Sequence, residues 1–125
     1  MSISNYAENA ILDATFRNVS FAGGATITLS LHTGDPGETG TANEVSGGSY
    51  SRQTITFSTA ASGGSISAAA AVEFAGMPAV TGASYVTHVG LWASSNHLWS
   101  GALTSQRQVQ AGDTLRISTL TVTLD

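Results

Sequence analysis

Residues 83–103, ASYVTHVGLWASSNHLWSGAL, constrain the fold more than any other stretch. Two apolar runs flank a short Ala93-Ser94-Ser95-Asn96 turn, the pattern of a β-hairpin. Side chains alternate along a strand, so Val89 and Leu91 point to one face and Val86, His88 and Trp92 to the other. On the return run, Leu98, Ser100 and Ala102 share one face, and Trp99, Gly101 and Leu103 the other. Neither face is cleanly polar, whereas a solvated antiparallel strand alternates apolar with polar. The hairpin is therefore expected at the centre of the fold, with material packed against both sides. It contains both tryptophans of the chain, which carry a large share of the buriable apolar area.

The flanking segments read mostly as further strands. Residues 4–16, SNYAENAILDATF, form the one helical stretch. Asn5 and Glu8 have capping-box spacing, and Tyr6, Ala10, Ile11 and Ala14 fall on one stripe. So short a helix needs a surface to pack on, either the end of the sheet or a neighbouring subunit. After Gly23-Gly24, residues 25–33 alternate: Ile27, Leu29 and Leu31 oppose Thr26, Thr28, Ser30 and His32, as in a half-buried strand. Residues 34–49, GDPGETGTANEVSGGS, form the longest non-periodic segment. Its length marks it as functional or poorly ordered.

Alternation resumes at residues 50–58, where Ile55 and Phe57 oppose Thr54 and Thr56. Gly63-Gly64 marks a turn, and Val72 and Phe74 place a strand in the second half of residues 65–75. Residues 76–82 read as a loop, and residues 104–111 are polar and include Arg107. The last run, 113–125, changes phase between Ile117 and Leu120, which predicts a β-bulge near Ser118-Thr119. Short strands, glycine-rich turns and one small helix indicate a mainly β fold. The expected architecture is an antiparallel β-sandwich, jelly-roll-like, of about seven or eight strands. A length of 125 residues fits a single domain, 1–125.

Charge is scarce. Charged residues make up 10% of the chain, against about 25% in ordinary soluble domains. Lysine is absent, and four arginines face eight carboxylates, for a net charge of −4. This balance argues against nucleic acid and anionic membranes as partners, because both are bound mainly through clustered cations. No apolar run approaches the roughly 20 residues needed to span a bilayer, and a signal peptide is not expected. A surface of Ser, Thr, Gly and Ala suits a protein packed against neighbours, since long charged side chains lose rotamer entropy at an interface. A small extracellular β-domain would share that composition.

No catalytic pattern emerges. His32, His88 and His97 lack metal-ligand spacing, although His88 and His97 could approach each other across the hairpin. Asp35, Glu38 and Glu44 share one loop but not the calcium-loop pattern of an EF-hand. No phosphate loop or nucleophile elbow is present, so no cofactor, metal or enzyme activity is expected. Tyr50, Tyr85, Trp92 and Trp99 could stack on sugars, although core packing is the stronger explanation for both tryptophans.

The segments LHTGDPGETGTANEVSGGSYSR (31–52), HVGLW (88–92), LWSGAL (98–103) and AGD (111–113) resemble a family of small tailed-bacteriophage structural proteins. That family includes tail-fibre-like, minor tail and capsid-decoration proteins. The resemblance implies a place in the virion, assembled in the host cytoplasm, and no catalytic residues. The expected role is a capsid decoration (cement) protein, a homo-oligomer such as a trimer, bound to the major capsid protein or to tail proteins. A tail- or fibre-associated subunit and a lectin-like host-binding module are the alternatives. Contacts are expected through the N-terminal segment and the long loop, with Asp35, Pro36, Glu38, Glu44, Tyr50 and Arg52 as candidate interaction residues.

Overall fold

The computed structural model describes residues 2–21, 26–80 and 85–124. The Gly23-Gly24 doublet, the start of the expected hairpin at Ala83-Ser84, and Asp125 lie outside the described residues. The fold is mainly β, antiparallel throughout, with one short helix, α1 (Asn5–Phe16). Its strands are β1 (Ser2–Ile3), β2 (Ile27–His32), β3 (Gln53–Thr54), β4 (Ser65–Ser67), β5 (Val72–Phe74), β6 (Val86–Ala93), β7 (Asn96–Arg107), β8 (Leu115–Ile117) and β9 (Thr121–Thr123).

The hairpin is β6–β7, and it is central as expected. The main sheet has the order β1-β7-β6-β2-β3, with β6 and β7 enclosed by neighbours. Its turn is the dipeptide Ser94-Ser95, with Ser94 in the left-handed region at φ 55°. Two two-stranded ribbons, β4–β9 and β5–β8, pack over one face of the sheet in a sandwich-like arrangement. Leu29, Leu31, Val89 and Leu91 from the sheet meet Val72, Phe74, Leu115 and Val122 from the ribbons in one buried core. Burying a side chain of this size contributes roughly 1.5–3 kcal/mol.

Two irregularities in the hairpin re-aim side chains. Val86 stands opposite Arg107, yet His88 already stands opposite Ala102. β7 therefore carries surplus residues between those pairs, a bulge that bends a strand and shifts its phase. Simple alternation would place Val86 with Trp92, yet Val86 belongs to the main core. A second irregularity, between Leu91 and Trp92, sets Trp92 opposite His97. His88 is not brought to His97 across the hairpin; its neighbour on the other side, across β2, is His32.

Other expectations need correction. The helix is capped by Ser4, not Asn5: Ser4 is extended at φ −78°, and its Oγ accepts from the Ala7 N–H. With Ser4 as cap, Glu8 lies one position beyond the third helical residue, so no Asn5–Glu8 box forms. Ala7 is the buried helix residue, packed on Ala93 and Leu98 at the hairpin end, while Tyr6 is exposed. Only Gln53–Thr54 of residues 50–58 pairs as a strand, although Ile55 is buried as its phase requires. The phase change at Ser118-Thr119 is not a bulge in one strand. The chain leaves β5 after Ile117 and joins β4 at Thr121. The polar tract after Leu103 continues β7 as far as Arg107.

Candidate functional site

β2 was expected to be half-buried, but Ser30 and His32 on its polar face are completely buried. Residues 34–52 account for this. The segment folds back over the polar face of β2, β6 and β7 as a strap. Thr33 N–H donates to the Asn43 carbonyl at 2.9 Å, and Val45 N–H donates to the Leu31 carbonyl at 2.9 Å. His32 thereby stands opposite Glu44, and Val45 enters the core. These bonds hold the loop against β2 and extend its ladder beyond the end of β3.

Beneath the strap lies a chain of polar contacts. The Nδ1 of His32 is 2.8 Å from the Ala42 carbonyl, which can only accept, so the ring proton is on Nδ1. Nε2 then accepts from the Ser30 hydroxyl at 2.7 Å. Trp92 Nε1–H in turn donates to Ser30 Oγ at 2.9 Å. Burial lowers the His32 pKa from its ordinary value, which keeps the ring neutral. A Cβ at position 90 would meet Ser30 Oγ at 2.7 Å, so Gly90 leaves the room that this cluster occupies. His97 Nδ1–H donates to the Glu38 carbonyl at 3.1 Å, and the buried Nε2 has no partner among the described residues.

The strap is clamped by an ion pair. Arg52 donates to both oxygens of Glu44, from Nε at 2.9 Å and from Nη2 at 2.8 Å. This two-pronged arrangement is the strong form of the contact. It lowers the Glu44 pKa and raises that of Arg52. The Arg52 guanidinium also covers the Trp92 ring. Tyr50 OH accepts from Leu31 N–H at 3.0 Å and donates to Glu44 at 3.1 Å, and its ring stacks on Phe74. Burial raises the Tyr50 pKa and holds the phenol protonated.

The six candidate interaction residues therefore divide. Pro36 is fully buried, and Glu44, Tyr50 and Arg52 bind one another and the strand beneath. Asp35 and Glu38 lie on the exposed surface. Asp35 accepts from Gly37 N–H at 2.9 Å, and Glu38 accepts from Asn5 N–H at 2.8 Å, tying the strap to α1. The three loop carboxylates thus engage three different sets of donors. Trp92 lies under Arg52, buried, and presents no open ring face for stacking.

Sequence reasoning missed an exposed apolar patch. Of the five large hydrophobic residues left exposed among the described residues, Tyr6, Leu12, Phe16 and Val19 lie on α1 and just after it, with Phe16 79% exposed. Leu12 and Phe16, four residues apart, share one helix face. The signal was present as Leu12 and Phe16 falling off the apolar stripe assigned to the helix. An apolar cluster on a helix face marks a protein contact more often than a scattered exposed residue does.

The comparisons with known proteins agree with the sequence resemblance. No curated protein matches the chain. A family model described as Podophage GP4 fiber I protein gp80 matches residues 2–125. That match spans nearly the whole chain, so this protein belongs to the podophage GP4 fiber I protein gp80 family, a family of tailed-phage fibre and structural proteins.

Proposed function

We propose that this chain is a structural subunit of the phage fibre, held by protein–protein contacts and carrying out no reaction. The family description supports a fibre over the capsid-decoration role first expected from sequence. The observation that carries the proposal is the outward-facing Leu12–Phe16 pair, the most exposed large apolar side chains among the described residues of a Ser/Thr-rich chain with few charges. The strap side chains instead hold the subunit together, which leaves the helix face as the principal contact surface. Copies of the chain associate with one another and with other virion components through that face.

The test combines placement and disruption. A Thr59→Cys variant, at an exposed position, gives a unique thiol in a chain without cysteine or lysine. Gold-labelled particles in micrographs should carry label on the fibre. Label on the shell would restore the capsid-decoration reading. A Leu12→Ser, Phe16→Ser double variant should fold with unchanged stability, sediment as a smaller species, and be depleted from purified virions. Wild-type incorporation of that variant would remove the helix face from the assembly.

A further inference from the structure

Two of the four arginines make close, hydrogen-bonded ion pairs. Arg17 pairs with Asp13 at 3.0 Å and Arg52 with Glu44 at 2.8 Å. The other two, Arg107 and Arg116, line a single open cleft of about 270 Å³ together with Thr104, Ser105, Ser118 and Thr119. No carboxylate among the described residues lines the cleft. Arg116 forms a looser ion pair with Glu73 at 3.8 Å, with both side chains about 60% exposed. Arg107 has no ion pair among the described residues. In a chain with twice as many acids as arginines, two arginines lining one concavity, one of them only loosely paired, run against the overall charge.

The cleft is produced by the two irregularities that sequence periodicity did not resolve. The bulge in β7 carries Thr104 and Ser105 outward and brings Arg107 opposite Val86. The switch of partner between β8 and β9 leaves Ser118 and Thr119 outside any ladder, beside Arg116 on β8.

We infer that this cleft is a binding site for a phosphate group. A tetrahedral phosphate has enough oxygens for two arginine forks and hydroxyl donors together, whereas a carboxylate has two. The volume, about 270 Å³, admits a phosphate ester as large as a single sugar phosphate. Because the site is open to water, its affinity falls steeply with salt. The inference does not depend on where the chain sits in the virion.

The test titrates inorganic phosphate and mannose 6-phosphate into isotope-labelled full-length protein at low ionic strength, following backbone amides by NMR. Saturable shifts are expected at residues 104–119. Arg107→Gln should weaken binding about fivefold or more, as loss of a charged fork does. Glu73→Gln should tighten binding by freeing Arg116, an effect that a merely structural role for Arg116 would not produce. Tighter binding of the sugar phosphate identifies a phosphorylated saccharide as the ligand class, and equal binding identifies the free ion; both sustain the site. The inference is overturned if neither probe gives saturable shifts there, if an Arg107→Gln, Arg116→Gln double variant with wild-type melting still binds, or if unphosphorylated mannose binds equally well.

Discussion

The guanidinium carbon of Arg52 lies 3.6 Å from the centroid of the Trp92 ring. The same guanidinium grips Glu44 with two hydrogen bonds, so one side chain joins the strap to the hairpin by two different interactions. A stacked cation is worth about 0.5–2 kcal/mol and a charged hydrogen bond about 1.5–3 kcal/mol. Arg52→Lys keeps the charge but loses the fork and the planar stack. It should destabilise the fold by roughly 2 kcal/mol in urea unfolding, with a change in tryptophan emission as Trp92 becomes wetter. An unaltered midpoint would show that the clamp contributes little.

Stability should fall with acidification in two steps. His32 is buried neutral, and its folded pKa lies below the ordinary 6.5. The stability gained is complete above 6.5 and is lost as the pH falls from there toward the folded value. Glu44 is held ionised by Arg52, with its folded pKa below the ordinary 4.5. Its contribution is complete above 4.5 and is lost as the pH falls through the folded value. Denaturation midpoints measured across this range should show both steps. His32→Asn should remove the upper step and Glu44→Gln the lower. A flat profile from neutrality down to about pH 5 would contradict the buried neutral imidazole.

Two glycines of the strap offer a controlled comparison. Gly37 and Gly40 have nearly equal φ values, 72° and 73°. A Cβ at Gly37 would meet nothing within 4 Å, whereas one at Gly40 would overlap the His97 ring and stand 2.8 Å from Trp92 Cζ2. Gly37→Ala should cost only the left-handed backbone penalty, about 1–2 kcal/mol. Gly40→Ala should cost that plus overpacking, an extra 1–3 kcal/mol or so. Thermal melting of both variants distinguishes steric contact from backbone preference.

Ser4 ties α1 to the hairpin. Its hydroxyl donates to the His97 carbonyl at 2.5 Å and accepts from Ala7 N–H at 3.2 Å, all in a buried setting. Ser4→Ala removes the cap and leaves a buried carbonyl without that donor, so a loss of about 1–3 kcal/mol is expected. Hydrogen exchange should quicken in residues 5–16 before the sheet opens. Uniform exchange across the chain would mean that the helix and the sheet unfold together regardless of the cap.

Strand periodicity made the centre of the molecule legible. The Ser94-Ser95 turn, the alternation of Val89 and Leu91, and the lack of a polar face on the hairpin placed β6–β7 at the middle of the sheet with cover on both sides. Val72 and Phe74 were legible for the same reason. The Thr/Ser/His side of β2 was misleading, because alternation reports which face is polar and not whether that face is wet. The candidate interaction residues were recognised as a group on the long loop and the start of the run after it, but Glu44, Tyr50 and Arg52 proved to bind each other.

The amino-acid order alone determined a mainly β chain with one short helix, few charges and no lysine, because alternation, turn residues and composition are local properties of the sequence. The tertiary structure alone decided that the 34–52 strap buries His32, that the last run splits between two ribbons, and that Arg107 and Arg116 share a cleft. Each of those outcomes depends on which distant segment covers or pairs with a strand, and that choice is made by the packing of the whole chain rather than by the residues on either side.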